Sequence, residues 1–332
     1  MYNYRNQLRS IAKNQFPWLL NLYRIYRYHQ GHFIGIQIET TTQCNLNCKM
    51  CPRDKNRIGN MDYDKFTGFI NSLKKSTVIE LCGVGETMMT PNLLDCLLFL
   101  KRSPHFFGFT SNFTIFNKEL YDRILSKGKD SCRPDRICVS IDAADKKNYE
   151  EIRRGADFDE VLDNIRYLIN RGYDNLSISS TIFPENEDQM PAIVKLASEV
   201  GIKKIRFQLA GIIGRIPKKV NKALCLQARD LGKKLGVEVT SPNILEFQGC
   251  VNPSWIYITY DGEVLPCCWI TTFHTPKEYY TSSFGNIFKD NLDDIWNSPK
   301  WKVFRWRTLK REYPEFCHGC LMLDEDAKFY NI

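Results

Sequence analysis

Three cysteines stand in the stretch TTQCNLNCKMC, at Cys44, Cys48 and Cys51, directly after the apolar run IGIQIE. Their C-x3-C-x2-C spacing lets one loop wrap a corner of an iron–sulfur cubane, each thiolate binding a different iron. Four irons and three thiolates leave one iron open. An open coordination position separates a chemical metal centre from a structural one, so the fourth ligand is expected to be a substrate or cosubstrate. Zinc would want a fourth protein ligand, and the nearest histidine, His32, precedes the strand.

A second set lies near the other end of the chain: Cys250, then Cys267 four residues beyond Gly262-x, then Cys317-His318-Gly319-Cys320. Two distant pairs, the second a C-x2-C, make a four-thiolate site. By spacing alone it suits zinc and an iron–sulfur cluster equally. Cys268 is a spare beside Cys267, and neighbouring strand residues point opposite ways, so only one of them ligates easily. Cys82, Cys96, Cys132, Cys138 and Cys225 have no partner spacing and are expected to be small buried residues.

The elements that must position these thiols alternate. Short β-type runs fall at 34–39, 78–83, 106–111, 136–142, 176–182 and 204–210. Helical patterns lie between and after them, at 63–75, 92–101, 118–127, 158–170, 188–200 and 220–235. Strand then helix, repeated, is the signature of βαβ units and a parallel sheet. Six repeats fall short of a closed eight-stranded barrel, so the expectation is an α/β fold with a partial (β/α)6 TIM-like barrel, open on one side. The first cysteine loop then lies at the C-terminal end of a strand, where such sheets gather their ligands. Near Ser241 the character changes to turns and aromatics. YDGEVLPCCW reads as two short strands across an Asp-Gly turn, and 291–309 reads as helical. About 90 residues are a thin core unless a metal staples them. The expected division is 1–33, an N-terminal arm; 34–240, the barrel; and 241–332, a small metal-stapled domain.

With 332 residues, 43% hydrophobic and 25% charged, the chain is globular in composition, which excludes disorder. Thirteen cysteines, an odd number, fit a reducing compartment in which thiols serve as ligands. No apolar run approaches the ~18 residues of a membrane span, and no signal peptide is visible, so a cytoplasmic location is expected. Residues 1–33 hold Arg5, Arg9, Lys13, Arg24 and Arg27 with no acid, which is +5 of the net +8. This basic, aromatic arm suits either a helix packed on the main domain or peripheral contact with a membrane surface. Basic residues interleaved with aromatics occur only there. Nucleic-acid binding is therefore not expected, and a zinc-stapled basic binding protein is the competing class.

CNLNCKMC resembles the cysteine signature of the radical SAM superfamily. The resemblance implies that the open iron binds S-adenosylmethionine (SAM) and that its reductive cleavage yields a 5′-deoxyadenosyl radical that abstracts hydrogen from a substrate. Further stretches, over roughly residues 33–240, are similar to that family in order. LCGVGETMMTPNL stands where the family has Gly-Gly-Glu-Pro, which implies cofactor contacts at Gly85 and Glu86, although Val84 and Thr87 depart from the pattern. A carboxylate suits the SAM ammonium. FTSNFTIFN implies Ser111 and Asn112. VSIDAADKKNYEEIRRG implies Ser140 and a carboxylate-binding arginine, Arg153, with Arg154 as its rival. FQLAG implies Gln208 and Leu209 beside the adenine.

The second cysteine set resembles the SPASM/twitch extension of these enzymes, whose Gly-x4-Cys element favours Cys267 over Cys268. The three further cysteines of a full SPASM motif are absent from LMLDEDAKFYNI, which implies one auxiliary [4Fe–4S] cluster on Cys250, Cys267, Cys317 and Cys320. The implied cofactors are two [4Fe–4S] clusters and SAM, with a flavodoxin- or ferredoxin-type electron donor. The expected activity is dehydrogenation of an alcohol or amine of a small sugar-like or aminocyclitol-like molecule, with the auxiliary cluster taking the electron. The alternative is peptide modification: thioether formation, epimerisation or crosslinking.

Overall fold

The structure is a computed structural model that describes residues 33, 35–128, 131–210, 221–240, 255–310 and 312–317. The basic arm, Cys250 and Cys320 lie outside the described residues.

Seven parallel strands run in chain order across the sheet: β1 Gly35–Ile38, β2 Val78–Leu81, β3 Phe106–Ser111, β4 Arg136–Ser140, β5 Leu176–Ile182, β6 Lys204–Leu209 and β7 Glu238–Thr240. β8 (Trp255–Ile258) adds to the other edge, parallel to β1, and β9 (Val264–Leu265) pairs antiparallel with β8. Helices α1 Tyr63–Ser72, α2 Leu93–Arg102, α3 Lys118–Leu125, α4 Lys146–Ile152, α5 Phe158–Ile169, α6 Met190–Glu199 and α7 Lys222–Leu235 form the crossovers. The result is a partial TIM-like barrel.

Local chemistry sets these boundaries. Asp62, Asn117, Asp145, Asp157 and Asn221 each accept a backbone N–H at the start of a helix, satisfying donors that a helix N-terminus leaves orphaned. β5 alternates strictly in burial. Its Leu176, Ile178 and Ile182 join the core beneath the helices, while Ser177, Ser179 and Thr181 take the opposite, inner face, as a period of two requires. Strand register carries the same division around the barrel. Gln37, Glu80, Gly108 and Arg136 fall in one inward row, and Thr110, Cys138 and Ser177 in the next.

Several features depart from the sequence reading. β7 and the seven-residue helix α4 are additional, and 291–309 splits into α10 (Leu292–Asn297) and α11 (Pro299–Leu309) at Ser298, which caps the second helix. Furthermore, much of the described C-terminal part shares the core of the barrel, beside a small cluster of its own around Tyr257, Leu265 and Ile270. Phe284, Ile295, Trp296, Trp301 and Phe304 belong to the same buried cluster as the barrel strands. Two short helices, α8 (Ile270–Phe273) and α9 (Pro276–Thr281), precede them.

Candidate cluster and cofactor site

The cysteine loop leaves β1 and is held from three sides. On one side Thr42 N donates to Gly59 O (3.0 Å) and Met61 N to Thr40 O (2.9 Å). On the second, Asn47 N donates to Arg154 O (2.9 Å) and Lys49 N to Ile152 O (2.8 Å), fixing the loop on the end of α4. On the third, Glu86 N donates to Gln43 O (2.7 Å). A Cβ on Gly85 would stand 2.3 Å from Thr41 O and 2.7 Å from Gln43 O, so only glycine allows this approach. Arg53, which follows the third cysteine closely, reaches back to Leu46 O (3.4 Å) and Thr42 O (3.5 Å).

Asn112 ties β3 to the same loop. Its Nδ2 donates to Asn45 Oδ1 (3.0 Å) and lies 3.9 Å from Cys44 Sγ, while its N donates to Glu86 Oε2 (2.7 Å). Glu86 Oε1 accepts from Met88 N (2.9 Å). Burial pushes the Glu86 carboxyl up, against hydrogen bonds from Asn112, Met88 and Ser111 and the nearby Arg153. Gly85, Glu86, Ser111 and Asn112 are thus brought together beside Cys44, and they brace the loop as well as facing it. Arg153 is buried and pairs through Nε with Asp142 Oδ2 (2.8 Å). Asp142 Oδ1 accepts from Thr181 N (2.7 Å). Arg154 is exposed and reaches the loop through its backbone. Ser140 lies in register with Ser179, and Gln208 Nε2 donates to Thr181 Oγ1 (3.4 Å), while Leu209 pairs with Ile182. These residues occupy successive strand ends from β2 to β6.

Two of the three thiols are held above the ordinary thiol range. Burial pushes Cys48 up to about 11 and raises Cys44, and the neighbouring cysteines push in the same direction. A metal reverses that penalty by binding the thiolate. Among the described residues, no three Cys, His, Asp or Glu side chains are grouped so as to hold a metal ion. The C-x3-C-x2-C order is that of thiolates binding different irons of one cubane. At the other site, Cys267 and Cys268 pack with Tyr257, Leu265, Ile270, Tyr280 and Phe316. His274 Nε2 meets Phe316 O at 2.9 Å, which brings the segment of Cys317 against α8.

A polar bridge that the sequence did not signal joins the two regions. Glu39, fully buried at the end of β1, pairs with Arg57 Nη2 (2.7 Å) and accepts from Tyr257 Oη (2.8 Å). Arg57 donates to Tyr280 Oη from Nη2 (3.0 Å) and lies over the Tyr260 ring, and Tyr280 donates to Asp261 Oδ2 (2.7 Å). Cys82 and Cys138, read from sequence as plain buried residues, instead face the barrel interior and keep some solvent exposure. Cys96, Cys132 and Cys225 are buried, as expected.

The sequence model of the radical SAM superfamily matches residues 38–197, and that of an iron–sulfur cluster-binding domain, SPASM, matches residues 250–321. The chain belongs to the radical SAM superfamily and carries a C-terminal SPASM domain; it is an enzyme of the SAM-binding, [4Fe–4S]-dependent class. It is similar to the tungsten-containing aldehyde ferredoxin oxidoreductase cofactor-modifying protein of Pyrococcus furiosus, at 23% identity over 87% of this chain and 87% of the relative. It is also similar to the antilisterial bacteriocin subtilosin biosynthesis protein AlbA of Bacillus subtilis, at 22% identity over 98% of this chain and 72% of the relative. In fold it resembles Streptococcus suis SuiB. The structure bound to the precursor peptide SuiA gives a TM-score of 0.66 at 15% identity, over 91% of this chain and 70% of that one. SuiB has also been solved bound to S-adenosylmethionine. Among the described residues no helix is long and apolar enough to cross a membrane.

Proposed function

We propose that this enzyme reductively cleaves SAM at the Cys44–Cys48–Cys51 loop, abstracts hydrogen from a substrate held inside the barrel, and thereby carries out a net two-electron oxidation. The observation that supports this reading best is the three-thiol loop braced at the strand ends beside an interior of polar side chains. Ordinary eight-stranded barrels fill that interior with branched aliphatics. The cluster and SAM, when bound, supply the radical; the protein's part is to bind, orient and shield.

We assign Cys44, Cys48 and Cys51 to the SAM-binding cluster, and Cys250, Cys267, Cys317 and Cys320 to an auxiliary one. Glu86 accepts one N–H on each oxygen, which leaves lone pairs for the SAM ammonium. The terminal nitrogens of Arg153 carry no hydrogen bond among the described residues, and we assign them to the SAM carboxylate. Ser140, Gln208 and Leu209 then flank the nucleoside. A flavodoxin- or ferredoxin-type protein is the proposed electron donor. The domain reading of 34–240 and 241–332 is kept.

Two substrates suit such an oxidation. One is an alcohol or amine of a small sugar-like or aminocyclitol-like molecule, whose radical yields an electron after losing a proton. The other is a peptide, in which bond formation removes two hydrogens as well. The similarity to AlbA over 98% of the chain favours the peptide. Anaerobic, dithionite-reduced protein mixed with SAM should give equal amounts of methionine and 5′-deoxyadenosine. No cleavage after full cluster loading would overturn the proposal. With a candidate substrate, a product lighter by two hydrogens supports oxidation; a product of unchanged mass in H2O that becomes one mass unit heavier in D2O contradicts it.

A further inference from the structure

Arg206 lies on the inner face of β6, since Ile205 and Phe207 on either side of it are buried in the core beneath the helices. It is exposed, and it stands in register with Ser179 of β5, which shares its face with Ser177, the partner in register of Cys138 on β4. Arg206 and Cys138 therefore rise from the same inner face, two strands apart. Cys82 and Cys138, which face the same interior, each keep part of their surface accessible to solvent.

The other charges in this interior are already matched. Glu80 is buried, pairs with Arg136 Nη2 (2.5 Å) and accepts from Thr110 Oγ1 (3.3 Å). Glu39 is paired with Arg57. Arg206 has no ion pair among the described residues. The carboxylate on the neighbouring edge strand, Glu238, stands in register with Lys204 rather than with Arg206. In register with Arg206 are only hydroxyls: Ser179 and, one strand further, Ser140 on one side, and Thr240 on the other. Thr181 and Gln208 form the next row.

We propose that Arg206, with the hydroxyl row of Ser179 and Thr240, is a specificity-determining site that binds an oxyanion of the substrate, a carboxylate or a phosphate. An exposed guanidinium without an ion pair, flanked by hydroxyl residues on the inner face of the sheet, matches that chemistry. A like-lined cleft also concentrates oppositely charged ligands. The inference rests on the reading that substrate is held inside the barrel, and it adds a charge requirement to it. Ser140 in the same row sets this anion beside the proposed SAM surface.

The test uses Cys138 as a built-in reporter and needs neither substrate nor turnover. The cluster-loaded protein is treated anaerobically with iodoacetate or with neutral iodoacetamide, and modification of Cys138 is followed by peptide mass spectrometry. The wild type should favour iodoacetate, relative to the same ratio in Arg206→Gln, by about tenfold. Arg206→Lys, which keeps the charge, should retain most of the preference and guards against loss of fold in the first variant. Inorganic phosphate and glutarate are then added separately as competitors; selective protection by one names the anion. An equal ratio in wild type and Arg206→Gln would overturn the proposal, as would a Cys138 inert to both reagents, because the chamber must be open. Loss of the preference on adding SAM alone would also overturn it, by giving Arg206 to the cofactor. None of these outcomes depends on SAM cleavage, so failure here is separable from failure of the proposed activity.

Discussion

Replacing Gly85 with alanine should disable the first cluster site without touching a ligand. The added Cβ would stand 2.3 Å from Thr41 O, 2.7 Å from Gln43 O and 2.8 Å from Thr41 C, where real Cβ atoms stay beyond 3.0 Å. All three atoms are backbone, so no side chain can swing away. Relief must come from moving either the Glu86 segment or the residues that lead into Cys44. Moving the first would break the bond from Glu86 N to Gln43 O (2.7 Å) and disturb Glu86, which holds Asn112. Moving the second would carry Cys44 with it. Overpacking of this kind costs ~1–3 kcal/mol, and a displaced first thiol adds a loss of cluster binding. The expected result is a folded protein that retains auxiliary iron and loses most of the iron and sulfide of the first cluster. Gly68→Ala is the control: it lies within α1 with nothing within 4 Å of the added Cβ. Propensity predicts that it leaves stability equal or raised by up to about 1 kcal/mol. Iron and sulfide per chain, with urea unfolding of both variants, read the difference. Wild-type iron content and an unchanged SAM response in Gly85→Ala would refute the role given to this close approach.

Arg57→Met should cost ~3 kcal/mol, the lower end for breaking a buried pair, since Glu39 keeps donors in Tyr257 and Val84. Adding Glu39→Gln should recover part of that loss in urea denaturation, and no recovery would contradict the pairing. Glu86→Gln turns one acceptor into an NH2 group facing a backbone N–H, at a cost of ~1–3 kcal/mol by thermal unfolding. Wild-type stability would show that the carboxylate is not engaged at both oxygens. His105 is depressed below its ordinary 6.5 by burial, so the unfolded chain takes up its proton first as pH falls. Stability should be unaffected above about pH 6.5 and decline below it. The urea midpoint of His105→Gln should lack that component of the slope between pH 7 and 5.5.

How far the sequence could be read follows from how local each feature is. The strands 106–111 and 176–182 were bounded correctly because alternation and turn residues are short-range signals. β7 has three residues and α4 seven, too few to establish a period. The cysteine spacing marks the loop that follows β1, whereas Gly85 and Glu86, expected from the resemblance to contact the cofactor, also brace that loop, which the sequence does not signal. Other parts were not legible in order. Tyr257 and Glu39 are 218 positions apart, and Arg57 and Tyr280 are 223 apart, so only the assembled sheet, with β8 laid against β1, brings them together. Strand pairing likewise decides that Cys82 and Cys138 face the interior, a matter of register rather than residue type. Arg153, expected from the resemblance to bind the SAM carboxylate with Arg154 as its rival, is the buried one of the two, and its pairing with Asp142 is not visible in RRG because it rests on the packing of α4 against the end of β4.

The central claim is that two clusters are present and that only the first binds SAM. It is tested most directly by iron and acid-labile sulfide per chain, with EPR, on anaerobically reconstituted protein beside a Cys44/Cys48/Cys51→Ala triple variant. About eight irons falling to about four, as two [4Fe–4S] clusters require, with SAM perturbing only the signal that the variant has lost, is the predicted result. Zinc without iron in the wild type, or a SAM-sensitive iron signal that survives the triple substitution, would contradict it.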